Sequence, residues 1–195
     1  MGSNPTSGTK HPIDFMRYCV CVSITVCIPS LPERTELRAR ALRSIDQQTL
    51  QPNFVRYVID HDRQGEHITR NSLLAEVQTK YVVFLDDDDE LKPTYLETVY
   101  SALIKHDADL VYCNYEVIGG GDHRPTFIQC TNLMKTEVAR SVGGFPAPFS
   151  DTFPYRYSDW GFLAKLLVNG AKFHYVSEPL WYYHIHGGNT VGVGF

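Results

Sequence analysis

Asp86, Asp87, Asp88, Asp89 and Glu90 follow one another directly after the apolar run Tyr81-Val82-Val83-Phe84-Leu85. Adjacent carboxylates repel one another at neutral pH, and each unit of pKa shift needed to relieve that repulsion costs about 1.4 kcal/mol. A bound divalent cation removes the repulsion, and hard oxygen ligands suit Mg2+, Mn2+ or Ca2+. The apolar run has no polar alternation, the pattern of a strand buried on both faces of a parallel sheet. In open α/β sheets ligands bind outside the carboxyl ends of such strands. A charge run is most often a solvated turn, but attachment to a buried strand favours a metal site here. Two more acidic groups follow element boundaries: Asp60 with Asp62 behind Phe54–Ile59, and Asp159 at the start of a helical pattern. Arg34 and Arg70-Asn71, at helix starts, are candidates to meet a phosphate or an aspartate. Taken alone, each arginine reads as a surface cation.

These groups need a scaffold, and the pattern supplies one. A β-branched apolar run over 20–28, ended by Pro29, reads as a strand, and Pro32-Glu33 then opens a helix carrying Leu37, Ala41, Leu42 and Ile45. A strand over Phe54–Ile59, a helix over 69–79 and the strand over 81–85 follow. Pro93 starts a helix with Leu96, Val99, Tyr100 and Leu103 at i, i+3, i+4 and i+7, and 110–113 is a fourth strand. This alternation predicts an α/β fold with a doubly wound, mostly parallel central sheet flanked by helices. The pattern then changes to a Gly119-Gly120-Gly121 turn, a short strand over 126–129 and a helix over 135–142 stopped by Gly143-Gly144. A helix over 158–169 presents Trp160, Leu163, Ala164 and Leu167 on one face. A strand over 173–176 and the aromatic Trp181-Tyr182-Tyr183 segment complete the pattern.

The 195 residues suit one domain with a sizeable core. Residues 1–15 read as a disordered lead-in or expression remnant, leaving 16–195 as a single domain. A formal charge of −4, its acidity gathered in the central run, offers no basic patch for nucleic acid. No segment approaches the roughly 18 apolar residues of a membrane helix. Five cysteines are an odd count without framework spacing, which points to reduced thiols and a cytoplasmic location. Cys19, Cys21 and Cys27 read as small buried strand residues.

The ordered set of motifs from about Ser23 to Asn189 resembles the family 2 glycosyltransferases of the GT-A fold. The matching segments are Val26-Cys27-Ile28-Pro29-Ser30, Val58-Ile59-Asp60, Thr69-Arg70-Asn71, Phe84-Leu85-Asp86-Asp87-Asp88-Asp89, Val142-Gly143-Gly144-Phe145, Ser158-Asp159-Trp160 and Tyr182-Tyr183-His184-Ile185-His186. The departures are Asp60-His61-Asp62, which leaves open which aspartate meets the base, Ser158 where the family has glutamate, and His184 where it has arginine.

The resemblance implies a nucleotide-binding half over about 20–115 and a small mixed acceptor half over about 116–190. It implies nucleotide-sugar contacts from Pro29, Arg34, Asp60, Asp62, Arg70, Asn71, Asp86 and Asp87. Asp88, Asp86 and His186 would ligate Mn2+ (or Mg2+), the carboxylate–imidazole set leaning toward Mn2+. Asp159 would be the general base of an inverting transfer, with Trp160, Tyr157 and His184 on the acceptor side. The expected partners are a nucleotide-diphosphate sugar, a UDP-sugar favoured, and an acceptor of unassigned class; a homo-oligomer is compatible. Two other readings remain: a GT-A-like module that binds a nucleotide sugar or glycan without turnover, and a Mg2+-dependent phosphatase or phosphotransferase with an aspartyl nucleophile.

Overall fold

The computed structural model describes residues 23–119, 129–148 and 158–186. In chain order the elements are β1 (Ile24–Ser30), α1 (Thr35–Asp46), β2 (Phe54–Ile59), α2 (Glu66–Glu76), β3 (Tyr81–Phe84), β4 (Glu90–Leu91), α3 (Tyr95–Lys105), β5 (Leu110–Ile118), β6 (Leu133–Lys135), α4 (Thr136–Ser141), α5 (Ser158–Val168) and β7 (Phe173–His184). The strands form one sheet in the order β2-β1-β3-β6-β5-β7-β4. β1 pairs in parallel with β2 and β3, and β5 with β7, whereas β6 runs antiparallel to β3 and β5, and β4 to β7. The class is the expected α/β one.

Alternation within the central strands builds two cores. Ile24, Val26, Ile28, Val83 and Leu85 face a cluster completed by Ala41 and Ile45 of α1 and by Tyr95, Leu96, Val99 and Leu103 of α3. Cys27, Val82 and Phe84 face the other side, against Leu73, Leu74 and Val77, then Phe145, Phe162, Leu163 and Leu166. β1 and β3 are therefore buried on both faces, which is why they lack polar alternation. Cys27, Cys113 and Cys130 are free and buried, and burial pushes the first two thiols up to about 12; Cys19 and Cys21 lie outside the described residues.

Several boundaries differ from the sequence expectation, each for a local reason. β1 does not stop at Pro29 but runs through Ser30, still paired with β2. Pro29 shares the parity of Cys27, whose carbonyl accepts from Leu85 N–H on the β3 side, so the missing N–H falls beyond the last β1–β3 pair. α1 starts at Thr35, because Pro32-Glu33 form a turn closed by Arg34 N–H to the Leu31 carbonyl. α2 begins at Glu66 rather than 69, after Gly65 at φ +107°. β7 is one strand across what read as a strand over 173–176 and a separate aromatic segment, with Pro179 opposite Asn114 at a register shift, where a missing donor is tolerated. β5 extends to Ile118 as its partner. β4 and β6, with two and three residues, are too short to carry a periodic signal. The expected strand over 126–129 falls outside the described residues except Gln129, which is in no strand. Of the expected stripe α5 buries Leu163, together with Phe162 and Leu166, whereas Trp160 is half-buried and Ala164 and Leu167 are exposed, Leu167 by 63%. A helix this apolar offers two plausible faces, and stacking of Phe162 on Phe145 at 4.1 Å selects between them.

Candidate active site

The carboxyl ends of β1, β2 and β3 converge on a cavity of about 490 Å³. Its walls are Pro29 and Ser30 at the end of β1, Leu31 and Arg34 after it, Asp60, Arg63 and Gly65 after β2, one side of α2, Asp86, Asp87 and Asp88 after β3, and Pro148 and Tyr183.

The acidic run divides in two. Asp87 is buried and accepts from Ser30 Oγ at 2.7 Å and Arg34 Nη1 at 2.9 Å. Asp88 Oδ2 lies 3.3 Å from Arg34 Nη1 and 3.2 Å from His186 Nε2. Its backbone carbonyl accepts from Arg40. Burial, then the charge on Asp86, pushes the Asp88 carboxyl above its ordinary range. Asp89 N–H donates to the Asp86 carbonyl and closes a turn, which swings the next two carboxylates away from the cavity. Asp89 accepts from His184 N–H at 2.9 Å and, through burial, is pushed well above its ordinary value. Glu90 pairs with His184 Nε2 at 2.8 Å and with Arg40. His184 therefore sits on the acidic turn, and it is not among the cavity's walls.

Arg70 joins the two halves of the site. Its side chain is 3% exposed and meets Asp86 at 2.7 Å, Glu66 at 3.3 Å and Ser158 Oγ at 3.5 Å, over the Phe145 ring. Burial works against the guanidinium charge, and Asp86, Glu66 and Asp159 more than restore it. Asp159, in the first turn of α5, accepts from Trp160 N–H at 2.8 Å. Burial pushes its carboxyl up to about 6, against the pull of Arg70 and with help from Glu66. Asp159 is not a cavity wall but stands next to Ser158, which Arg70 and Glu66 hold. Trp160 is half-buried beside it and belongs to neither core cluster.

Asp60 lines the cavity, whereas Asp62 is exposed and outside the walls. Burial opposes ionisation of Asp60, but hydrogen bonds from Gly65 and Gln64 N–H outweigh it and hold the carboxyl below its usual value. Asn71 is also outside the walls. Its amide pairs both ways with the Phe145 backbone at 2.8 Å, fixing the Gly143-Gly144-Phe145 turn. Gly144 has φ +69°, and a Cβ there would lie 2.3 Å from Asn71 Oδ1. Gly144→Ala is expected to cost about 2–4 kcal/mol, from a left-handed alanine at roughly 1–2 kcal/mol and the displaced Asn71 pair. Urea unfolding reads this as a lower midpoint at constant m; an unchanged midpoint contradicts it.

Tyr157 lies outside the described residues. Sequence reasoning missed Ser30, Glu66, Arg40 and Tyr183. Glu66 was discoverable, since it precedes Arg70 by one helical turn. Arg40 gave no local signal, because its partner Asp88 is 48 residues away. Among the described residues no three His, Cys, Asp or Glu side chains form a ready-made metal cage, and no helix is long and apolar enough to cross a membrane.

Residues 30–161 match the profile of Glycosyl transferase family 2. The succinoglycan biosynthesis protein ExoW of Rhizobium meliloti is 26% identical over 76% of this chain and 55% of its own length. Among solved structures, TarS of S. aureus, residues 1–349 in complex with UDP-GlcNAc, superposes with a TM-score of 0.74 at 16% identity, over 89% of this chain and 61% of that one. The mannosyltransferase PcManGT of Pyrobaculum calidifontis, in complex with GDP-Man and Mn2+, gives a TM-score of 0.64 at 16% identity, over 85% and 58%. The chain thus spans little more than half the length of each of these proteins.

Proposed function

The chain belongs to glycosyl transferase family 2, and from that premise we propose that it transfers a hexosyl group from a nucleotide-diphosphate sugar, a UDP-sugar favoured, to an acceptor hydroxyl with inversion. The observation that carries this reading is the placement of two acidic groups on either side of Arg70. Asp86, Asp87 and Asp88 gather at the cavity wall, and Asp159, a carboxyl pushed up to about 6, stands one residue from the Ser158 hydroxyl that Arg70 holds. Nucleotide complexes of TarS and PcManGT support the donor class.

The acceptor oxygen attacks the anomeric carbon as the bond from that carbon to the diphosphate oxygen breaks, and the bonding pair leaves with the diphosphate. Asp159 takes the acceptor proton. Pro29 and Leu31 offer an apolar wall to the base, and Asp60, kept ionised, accepts from a base N–H. Asp62 has no part in this arrangement. Arg34 and Arg70 fix the carboxylates, and Asn71 serves the site by holding the Gly144-Phe145 turn.

The donor chemistry fits Mn2+ or Mg2+. Asp88, on the cavity wall with Asp86, lies 3.2 Å from the imidazole of His186, which is not itself among the walls, and two protein donors suffice for ions that keep waters and bind substrate phosphates. When bound, the ion stabilises charge on the leaving diphosphate as a Lewis acid. Among the described residues the cations that line the cavity are Arg34, Arg63 and Arg70, and the phosphotransferase reading is tested by phosphate release from simple phosphomonoesters. The binding-module reading is tested by turnover.

Incubation with UDP-, GDP- and TDP-sugars plus Mn2+ should release nucleoside diphosphate slowly from one of them. Release of phosphate from simple phosphomonoesters with no nucleotide-sugar binding overturns the reading. Because Asp159 acts only when deprotonated, kcat/KM should fall tenfold per pH unit below about 6. A rate that stays flat down to pH 5 contradicts its role.

A further inference from the structure

Glu66 has no part in the chemistry just described, yet it ties the first residue of the helix that carries the base to Arg70. One oxygen accepts from Ser158 Oγ at 2.7 Å, and the other pairs with Arg70 at 3.3 Å. Arg70 Nη1 donates to the same Ser158 Oγ at 3.5 Å, which closes a triangle between α2 and the first residue of α5. Ser158 is fully buried and Arg70 nearly so. The first turn of α5, which carries Asp159, is therefore fixed by a carboxylate from a different helix. Position 158 is also where the chain departs from the Glu-Asp-Trp pattern it otherwise resembles, so a carboxylate is missing there and one is present at Glu66.

We propose that Glu66 is a positioning residue for Asp159: from α2 it supplies the carboxylate absent at position 158, docking the start of α5 and setting the charge around the base. The inference rests on the transfer function proposed above. Among the described residues, the charged and titratable groups facing Asp159 are Arg70 and Glu66 of α2, Asp86 after β3, and the Cys130 thiol. Arg70 favours the ionised base, whereas Glu66 and Asp86 oppose ionisation. Glu66 also shares Arg70 with Asp86, so its charge limits how strongly Arg70 acts on Asp159. Removing that charge without changing the shape has a defined sign: Asp159 ionises more readily.

The test is the pH profile of kcat/KM on the full chain, with the nucleotide sugar that the panel identifies and Mn2+. Glu66→Gln should move the acid limb down by about 0.5–1 pH unit and lower the plateau kcat about tenfold. Ser158→Ala keeps the charge and loses the tether, so kcat should fall with the limb in place. The exchange variant Glu66→Ser/Ser158→Glu returns a carboxylate to the same spot and should recover most of the plateau rate and the wild-type limb. If Glu66→Gln does not fold, Glu66→Asp carries the test: kcat falls, and the limb stays. A Glu66→Gln limb superimposed on the wild type, or an exchange variant no better than the single changes, overturns the positioning role. Absence of turnover by the wild-type protein on every nucleotide sugar overturns instead the function on which it rests.

Discussion

Asp159→Asn is expected to lower kcat by about 10²- to 10⁴-fold, the usual contribution of a positioned base, while UDP affinity changes less than about threefold. The substitution keeps the shape and leaves an amide oxygen to accept from Trp160 N–H. It removes only the group whose pKa burial has brought up to about 6. Stability should not fall. A carboxyl whose folded pKa lies above its unfolded value stabilises fully below the unfolded value, and loses that contribution as pH rises through 6. At pH 7 the ionised Asp159 is therefore a burden to the fold, and a neutral amide relieves it. Loss of rate with a lower urea midpoint would mean that Asp159 is structural. Retention of rate would remove it from the mechanism.

Asp88→Asn should separate activity from stability in the same way. The fold buries this carboxylate among Asp86 and Asp87, which, after burial itself, pushes its proton affinity up. An amide relieves the crowding, and Arg34 keeps Asp87 as a partner at 2.9 Å. The urea midpoint should therefore hold or rise. A lost charge-stabilising contact of several kcal/mol at the leaving group corresponds to about 10²- to 10⁴-fold in the Mn2+-dependent rate. A variant that turns over at the wild-type rate with the wild-type Mn2+ requirement contradicts the assignment of Asp88. Residues that cost stability where they stand and are needed for turnover are the expected mark of a site held under electrostatic strain.

What the sequence disclosed, and what it withheld, follows from the range of the interactions. The central strand and the acidic run after it were readable because burial on both faces leaves a local signature, and because ligands gather at carboxyl strand ends. Asp159 reads in the sequence as the start of an apolar helix, and it stands in the first turn of α5, whose Ser158 the Arg70 network holds. The division of the run between cavity and scaffold was not readable. It depends on β4 pairing with β7, which brings His184 onto Asp89 and Glu90 across more than ninety residues. Asn71 was read by its neighbour Arg70, yet on a helix adjacent residues point about 100° apart, so one reaches the acidic cluster and the other the Gly144-Phe145 turn. Asp60 and Asp62 have the same chemistry. The N–H groups of Gln64 and Gly65, folded back on Asp60, and its place on the cavity wall distinguish them. The α5 face was misread because an almost wholly apolar helix carries little directional information, and Phe145, thirteen residues before its start, made the choice.

Titration calorimetry of UDP into the wild-type protein, once with Mn2+ and once with EDTA, tests most directly the claim that Asp86, Asp87 and Asp88 form a cation-dependent nucleotide site. The account predicts one site per chain with Mn2+ and a loss of affinity of at least about tenfold when the ion is removed. Equal affinity in both titrations, or no binding in either, would contradict it.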